Sequence, residues 1–68
     1  MTITVNGKPE KMDRPETLTA FLGAKGIDPE TVVVERNGEI ADRAKWEEIL
    51  LADRDVLEIV KFVGGGAR

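Results

Sequence analysis

Cysteine and histidine are both missing from this 68-residue chain. Their absence removes disulfide staples, thiolate nucleophiles, the commonest zinc ligands and the usual general base near neutral pH. Length removes more. A chain of 68 residues forms one domain at most, at the size where a single apolar core only just offsets the entropy of ordering, and it has little room for an internal cleft. There is also no GxxxxGK(S/T) phosphate loop, so nucleotide chemistry at this protein borrows its machinery from elsewhere. The chain is expected to be no enzyme, with no catalytic residue, no metal and no cofactor of its own.

Blocks of one charge are missing too. Thirteen acidic and ten basic residues are spread along the chain for a net charge of −3, which argues against nucleic acid or an anionic membrane as partner. No apolar run approaches the ~20 residues of a membrane span, and Met1-Thr2-Ile3-Thr4-Val5 lacks the basic-then-apolar layout of a secretion signal. The expectation is a cytoplasmic protein. At 41% hydrophobic residues the chain is apolar enough to fold.

What is present reads as a short series of β and α signals. Thr2 to Val5 alternates polar and apolar and meets Asn6-Gly7, a pair that tolerates positive φ at both turn positions, so a hairpin is expected with a return strand over about Lys8 to Asp13. Pro9 has no N–H and confines that return strand to a sheet edge, or marks its first residue. Leu18, Phe21 and Leu22 share one helical face, with Thr17 as N-cap and Gly26 as C-terminal stop. The β-branched run through Val32, Val33 and Val34 leads into a second Asn-Gly pair at Asn37-Gly38 and a brief Glu39-Ile40-Ala41. Between Asp42 and Leu51, Trp46, Ile49 and Leu50 have helix-like spacing in a segment too short and charged for more than one turn. Asp53-Arg54-Asp55 reads as a solvated turn into a last strand, Val56 to Val63.

That last strand is the longest and most apolar, and it has no hairpin partner beside it in sequence. Pairing it parallel to the first strand buries the most area and leaves the Pro9 strand outside. The result is an α+β, β-grasp (ubiquitin-like) domain over residues 1–63, a mixed sheet of four or five strands on one short helix, followed by a glycine-rich tail at 64–68. Alternation in the last strand sets Leu57 and Ile59 against Val56, Glu58, Val60 and Phe62. A mid-strand carboxylate is costly to bury unpaired, so Glu58 assigns the Leu57 and Ile59 face to the core. Val60, Phe62 and Val63, at the base of the tail, then become candidates for a partner surface; the competing reading packs Val60 and Phe62 on Trp46 or a nearby loop. Asp53, Asp55 and Glu58 lack the surrounding oxygen-rich loop of a cation site.

Gly64-Gly65-Gly66 lose more backbone entropy on ordering than any other residues would, which suits either a frayed end or a slender arm that enters a channel too narrow for side chains. A terminal carboxylate is ionised at neutral pH and unreactive; transfer to the α-phosphate of ATP makes an acyl-adenylate that a sulfur nucleophile can attack.

Ile3-Thr4-Val5-Asn6-Gly7, the helix ending at Leu22, the run from Val32 to Ile40, Trp46, and above all the stretch from Asp53 through Gly66 together resemble the ThiS family of sulfur carriers in thiamine biosynthesis. The resemblance implies that Gly66 is adenylated by a ThiF-type, E1-like adenylyltransferase and converted to a thiocarboxylate with sulfur from a persulfide enzyme. It implies that Gly64 and Gly65 thread the tail into partners, and that thiazole synthase receives the sulfur. Ala67-Arg68 departs from this pattern, since Gly66 is then held in a peptide bond. A C-terminal peptidase removing the two residues, an extension added on expression, and a protein that carries no sulfur in this form are the readings that follow. The small subunit of molybdopterin synthase, and ubiquitin-like adaptors or modifiers, share the same broad design.

Overall fold

The computed structural model describes residues 1–62. Val63, the three glycines and the expected domain boundary lie outside the described residues. Along the chain run β1 (Thr2–Val5), β2 (Lys8–Lys11), α1 (Leu18–Ala24), a 3-10 turn (Pro29–Thr31), β3 (Val32–Arg36), β4 (Glu39–Ile40), a second 3-10 turn (Arg43–Lys45) and β5 (Val56–Lys61). The strands form one sheet in the order β2-β1-β5-β3-β4. β5 runs parallel to β1 and antiparallel to β3. This is the β-grasp arrangement, with the last strand central and the Pro9 strand at an edge.

Both Asn-Gly pairs make the expected turns, with φ of 50 and 84 at Asn6 and Gly7 and of 53 and 87 at Asn37 and Gly38. The hydroxyl of Thr17 accepts from the Ala20 amide at 3.1 Å and caps α1. At the other end Gly26 takes φ 72, and the Ile27 amide donates to the Leu22 carbonyl. Leu18, Phe21 and Leu22 face Ile3, Val34 and Leu57 of the sheet, all almost fully buried. Two layers, one helix on one sheet face, thus form the centre of the core, and Met12, Trp46 and Leu51 from the connections complete it.

Two stretches differ from their sequence reading. β2 ends at Lys11 instead of Asp13, because its partner β1 starts at Thr2, opposite Lys11; beyond that pair Met12 is buried and exchanges backbone hydrogen bonds with Met1, at 2.9 and 3.1 Å. In the irregular segment, helical spacing pairs Ile49 with Leu50, but Leu50 bridges Thr17 in extended backbone. Extended neighbours point opposite ways, so Ile49 and Leu51 pack inward and Leu50 stays exposed. Arg43 pins this segment: its guanidinium lies 4.6 Å from the Trp46 ring and donates to the carbonyls of Val32 and Pro29. Among the described residues no helix is long and apolar enough to cross a membrane.

Candidate functional site

The residues singled out from sequence gather on β5 and beyond it, so the site begins with what holds that strand. At its start Asp55 is only 6% exposed. Its carboxylate accepts from the Ala52 amide at 2.8 Å, the Arg36 Nε at 2.9 Å and the Asn37 Nδ2 at 3.0 Å. Burial pushes its pKa up, but the Ala52 and Asn37 hydrogen bonds and the bond and charge of Arg36 outweigh that, and the carboxyl sits below the ordinary aspartate value. The sequence reading of Asp53-Arg54-Asp55 as a solvated turn is therefore corrected at Asp55. The signal was available: Asp55 shares the parity of Leu57 and Ile59, the core side of the strand.

The asparagines of both hairpin turns also reach β5. Asn37 accepts from the Val56 amide at 2.9 Å through its side chain, and its own amide donates to the Val56 carbonyl. Asn6 works further along. Its Oδ1 accepts from the Ile59 amide at 2.7 Å and its Nδ2 donates to the Ile59 carbonyl at 3.2 Å, so one side chain pairs the backbone of β5 where β1 has already ended. These roles were not read from sequence, where the Asn-Gly pairs served only as turn signals.

The faces of β5 divide as alternation requires. Leu57 is fully buried and Ile59 packs against the core, while Val56, Val60 and Phe62 are 42%, 58% and 45% exposed. Trp46 belongs to the core, with its Nε1 donating to the Ala41 carbonyl. Val33 stands opposite Val60 on β3 and is exposed beside it. Two of the three expected partner residues, Val60 and Phe62, therefore lie on one open apolar face; Val63, Gly64, Gly65 and Gly66 fall outside the described residues. Asp53 accepts from the Thr2 amide, Asp55 points inward and Glu58 outward, so the three carboxylates do not converge. Among the described residues no cluster of three potential metal ligands occurs.

Comparison with known proteins matches this geometry to one family. The ThiS family model matches residues 3–66. The chain is 42% identical over 65 residues to the sulfur carrier protein ThiS of Bacillus subtilis, covering 94% of this chain and 98% of that protein. The crystal structure of the thiamine biosynthesis protein ThiS from Geobacter metallireducens superposes with a TM-score of 0.86 at 38% identity, covering 97% of this chain and all of that one. A thiazole synthase from Paramagnetospirillum magneticum is 39% identical over 67 residues, 98% of this chain. The chain spans about a fifth of the length of the thiazole synthases it matches.

Proposed function

The chain belongs to the ThiS family, and from that premise we propose that it is a sulfur carrier of thiamine biosynthesis, a substrate handed between enzymes and not itself an enzyme. The observation that carries the proposal is the extent of the family match, which runs from residue 3 to residue 66 and closes on the third glycine. Gly66 is then the reactive residue. Once Ala67-Arg68 is removed by a peptidase, the Gly66 carboxylate attacks the α-phosphate of ATP on a ThiF-type enzyme and pyrophosphate leaves. The outer sulfur of a persulfide on a partner enzyme displaces AMP at the carbonyl carbon to give an acyl disulfide. A partner's cysteine thiolate then cleaves the S–S bond, leaving the thiocarboxylate on Gly66 and a disulfide on the partner.

The absence of cysteine, histidine and a phosphate loop fits this division of labour, since activation and sulfur both come from partners in the cytoplasm. Gly64 and Gly65 give the arm no side chain to obstruct a narrow channel, at about 3.3 Å of reach per residue. Val60 and Phe62, with Val63 next in sequence, supply an apolar foot on which the activating enzyme rests. Thiazole synthase is the sulfur acceptor; the existence of thiazole synthases that contain a stretch similar to this whole chain supports that pairing.

The intact mass of the protein from its native source tests the proposal. The expected species ends at Gly66 with one carboxyl oxygen replaced by sulfur. A native pool that keeps Ala67-Arg68, combined with no ATP-dependent adenylate on a chain trimmed to Gly66 beside the ThiF-type enzyme, would overturn it.

A further inference from the structure

The outer sheet face carries a feature that neither the fold nor the tail chemistry requires. Glu35 of β3 and Glu58 of β5 stand directly opposite each other. Both point away from the core, because their strand neighbours Val34 and Leu57 are fully buried. Like charges facing across an antiparallel pair destabilise a sheet. A basic residue at a diagonal position would relieve this, yet the register puts Val33, Asn37, Val56 and Val60 at those positions.

The basic residues of the same strands do not help. Arg36 and Lys61 fall on the opposite parity, and Arg36 is engaged by Asp55. On β4 the residue beside Glu35 is Ile40, uncharged and exposed. Among the described residues neither glutamate has an ion-pair partner. Two adjacent glutamates thus sit among the exposed side chains of Val33, Val56, Val60 and Ile40, a repulsion in the free protein that a cation brought by a partner would relieve.

We propose that this face docks a protein surface that sets an arginine guanidinium between Glu35 and Glu58 and lays apolar side chains on Val33, Val56 and Val60. Arginine suits the position because its planar fork can bond both carboxylates at once and is weakly hydrated enough to be covered by apolar groups. The pair also rejects acidic partners, so it selects as well as attracts. This inference rests on the reading that the outer face of β5 meets the ThiF-type enzyme, and it adds the charge which that enzyme brings.

The test is calorimetric binding of the full chain to the ThiF-type enzyme of the same organism, at low and at high salt. In the Glu35→Gln/Glu58→Gln variant the affinity at low salt should fall about tenfold or more and its salt dependence should flatten, while the unfolding midpoint stays level or rises because a repulsion has been removed. Glu58→Lys, which answers Glu35 within the chain, should raise the midpoint and weaken binding further. Unchanged affinity and salt dependence in the double variant, with Phe62→Ala still weakening binding, would overturn the arginine inference and leave the docking face standing. Unchanged binding in both variants would overturn the docking face and this inference with it. A lower midpoint in the double variant would also overturn it, since the pair would then be supporting the sheet.

Discussion

Where β5 begins, at Asp55 and Val56, the chain supplies partners for its own polar groups; where the strand ends, at Val60 and Phe62, apolar side chains stand in the open. Asp55 is buried and receives three hydrogen bonds, and Val56 is tied to Asn37 by both backbone and side chain. At the far end the last side-chain tie is Asn6 on Ile59, and no side-chain hydrogen bond is made by Val60 or Phe62, which have no polar side-chain atoms. The difference teaches which contacts hold the central strand in the free protein. The start of the central strand is fastened by side chains as well as by the sheet ladder, and its far end by the ladder to β3, the hydrogen bond of the Phe62 amide to the Thr31 carbonyl, and Asn6. The exposed side chains of Val56, Val60 and Phe62 are therefore not needed to hold the strand.

If the two ends are unequal in this way, truncating each should cost unequally. Leu57→Ala removes a fully buried side chain in contact with the helix layer and should cost about 3 kcal/mol. That is a large share of the roughly 3–10 kcal/mol that a domain of this length possesses. Val60→Ala removes an exposed side chain only three residues later, and its cost should stay below about 0.5 kcal/mol. Urea unfolding of both variants checks the contrast. Comparable losses would show that Val60 belongs to the core and that the outer face is no docking surface.

The fastening at Asp55 comes next in size. Asp55→Ala strands the Ala52 amide and the Asn37 amide group, although Arg36 still reaches solvent, so the expected loss is about 2 kcal/mol at neutral pH. Because the folded carboxyl has a lowered pKa, its contribution is fully present above the unfolded value of about 3.9 and disappears as pH falls through the folded value. The gap in stability between parent and variant should therefore be widest near neutrality and close in acid. A gap that does not change with pH would mean that the charge of Asp55 contributes nothing to holding the strand.

Much of this comparison was readable in the chain. The Asn-Gly turns, the capped helix and the alternation of β5 are signals spread over a few residues, and they gave the hairpins, the helix face and the exposed side of Val60 and Phe62 correctly. Glu58 did the deciding for β5, since one carboxylate in the strand fixed which face was wet. What escaped depends on residues far apart: Asn6 and Ile59 are 53 positions distant, and Asn37 and Asp55 are 18. No local pattern announces that a turn asparagine will serve as a strand partner. Helical spacing groups Leu50 with Trp46 and Ile49, yet Leu50 lies exposed, for a different reason: spacing presumes a backbone conformation, and the backbone at Leu50 is extended, not helical. The glycines that carry the proposed chemistry are read from sequence and from the family match.

The smallest effect concerns the tie at Asn6, which is what separates a held exit from a free one. Asn6 occupies φ 50, a conformation glycine adopts without steric cost, so Asn6→Gly removes the two bonds to Ile59 without adding strain. Those bonds are solvent-exposed, and losing them should cost about 1 kcal/mol. The location of the loss matters more than its size. Hydrogen exchange at the Ile59 amide should speed up severalfold, while Leu57, held by the backbone of β1 and sealed in the core, changes little. Docking to the ThiF-type enzyme should weaken slightly, because the partner then has to order the end of β5 that Asn6 ordered before. If exchange instead rises equally at Leu57 and Ile59, the strand opens only as one unit, and the two ends differ in what they expose but not in how firmly they are held.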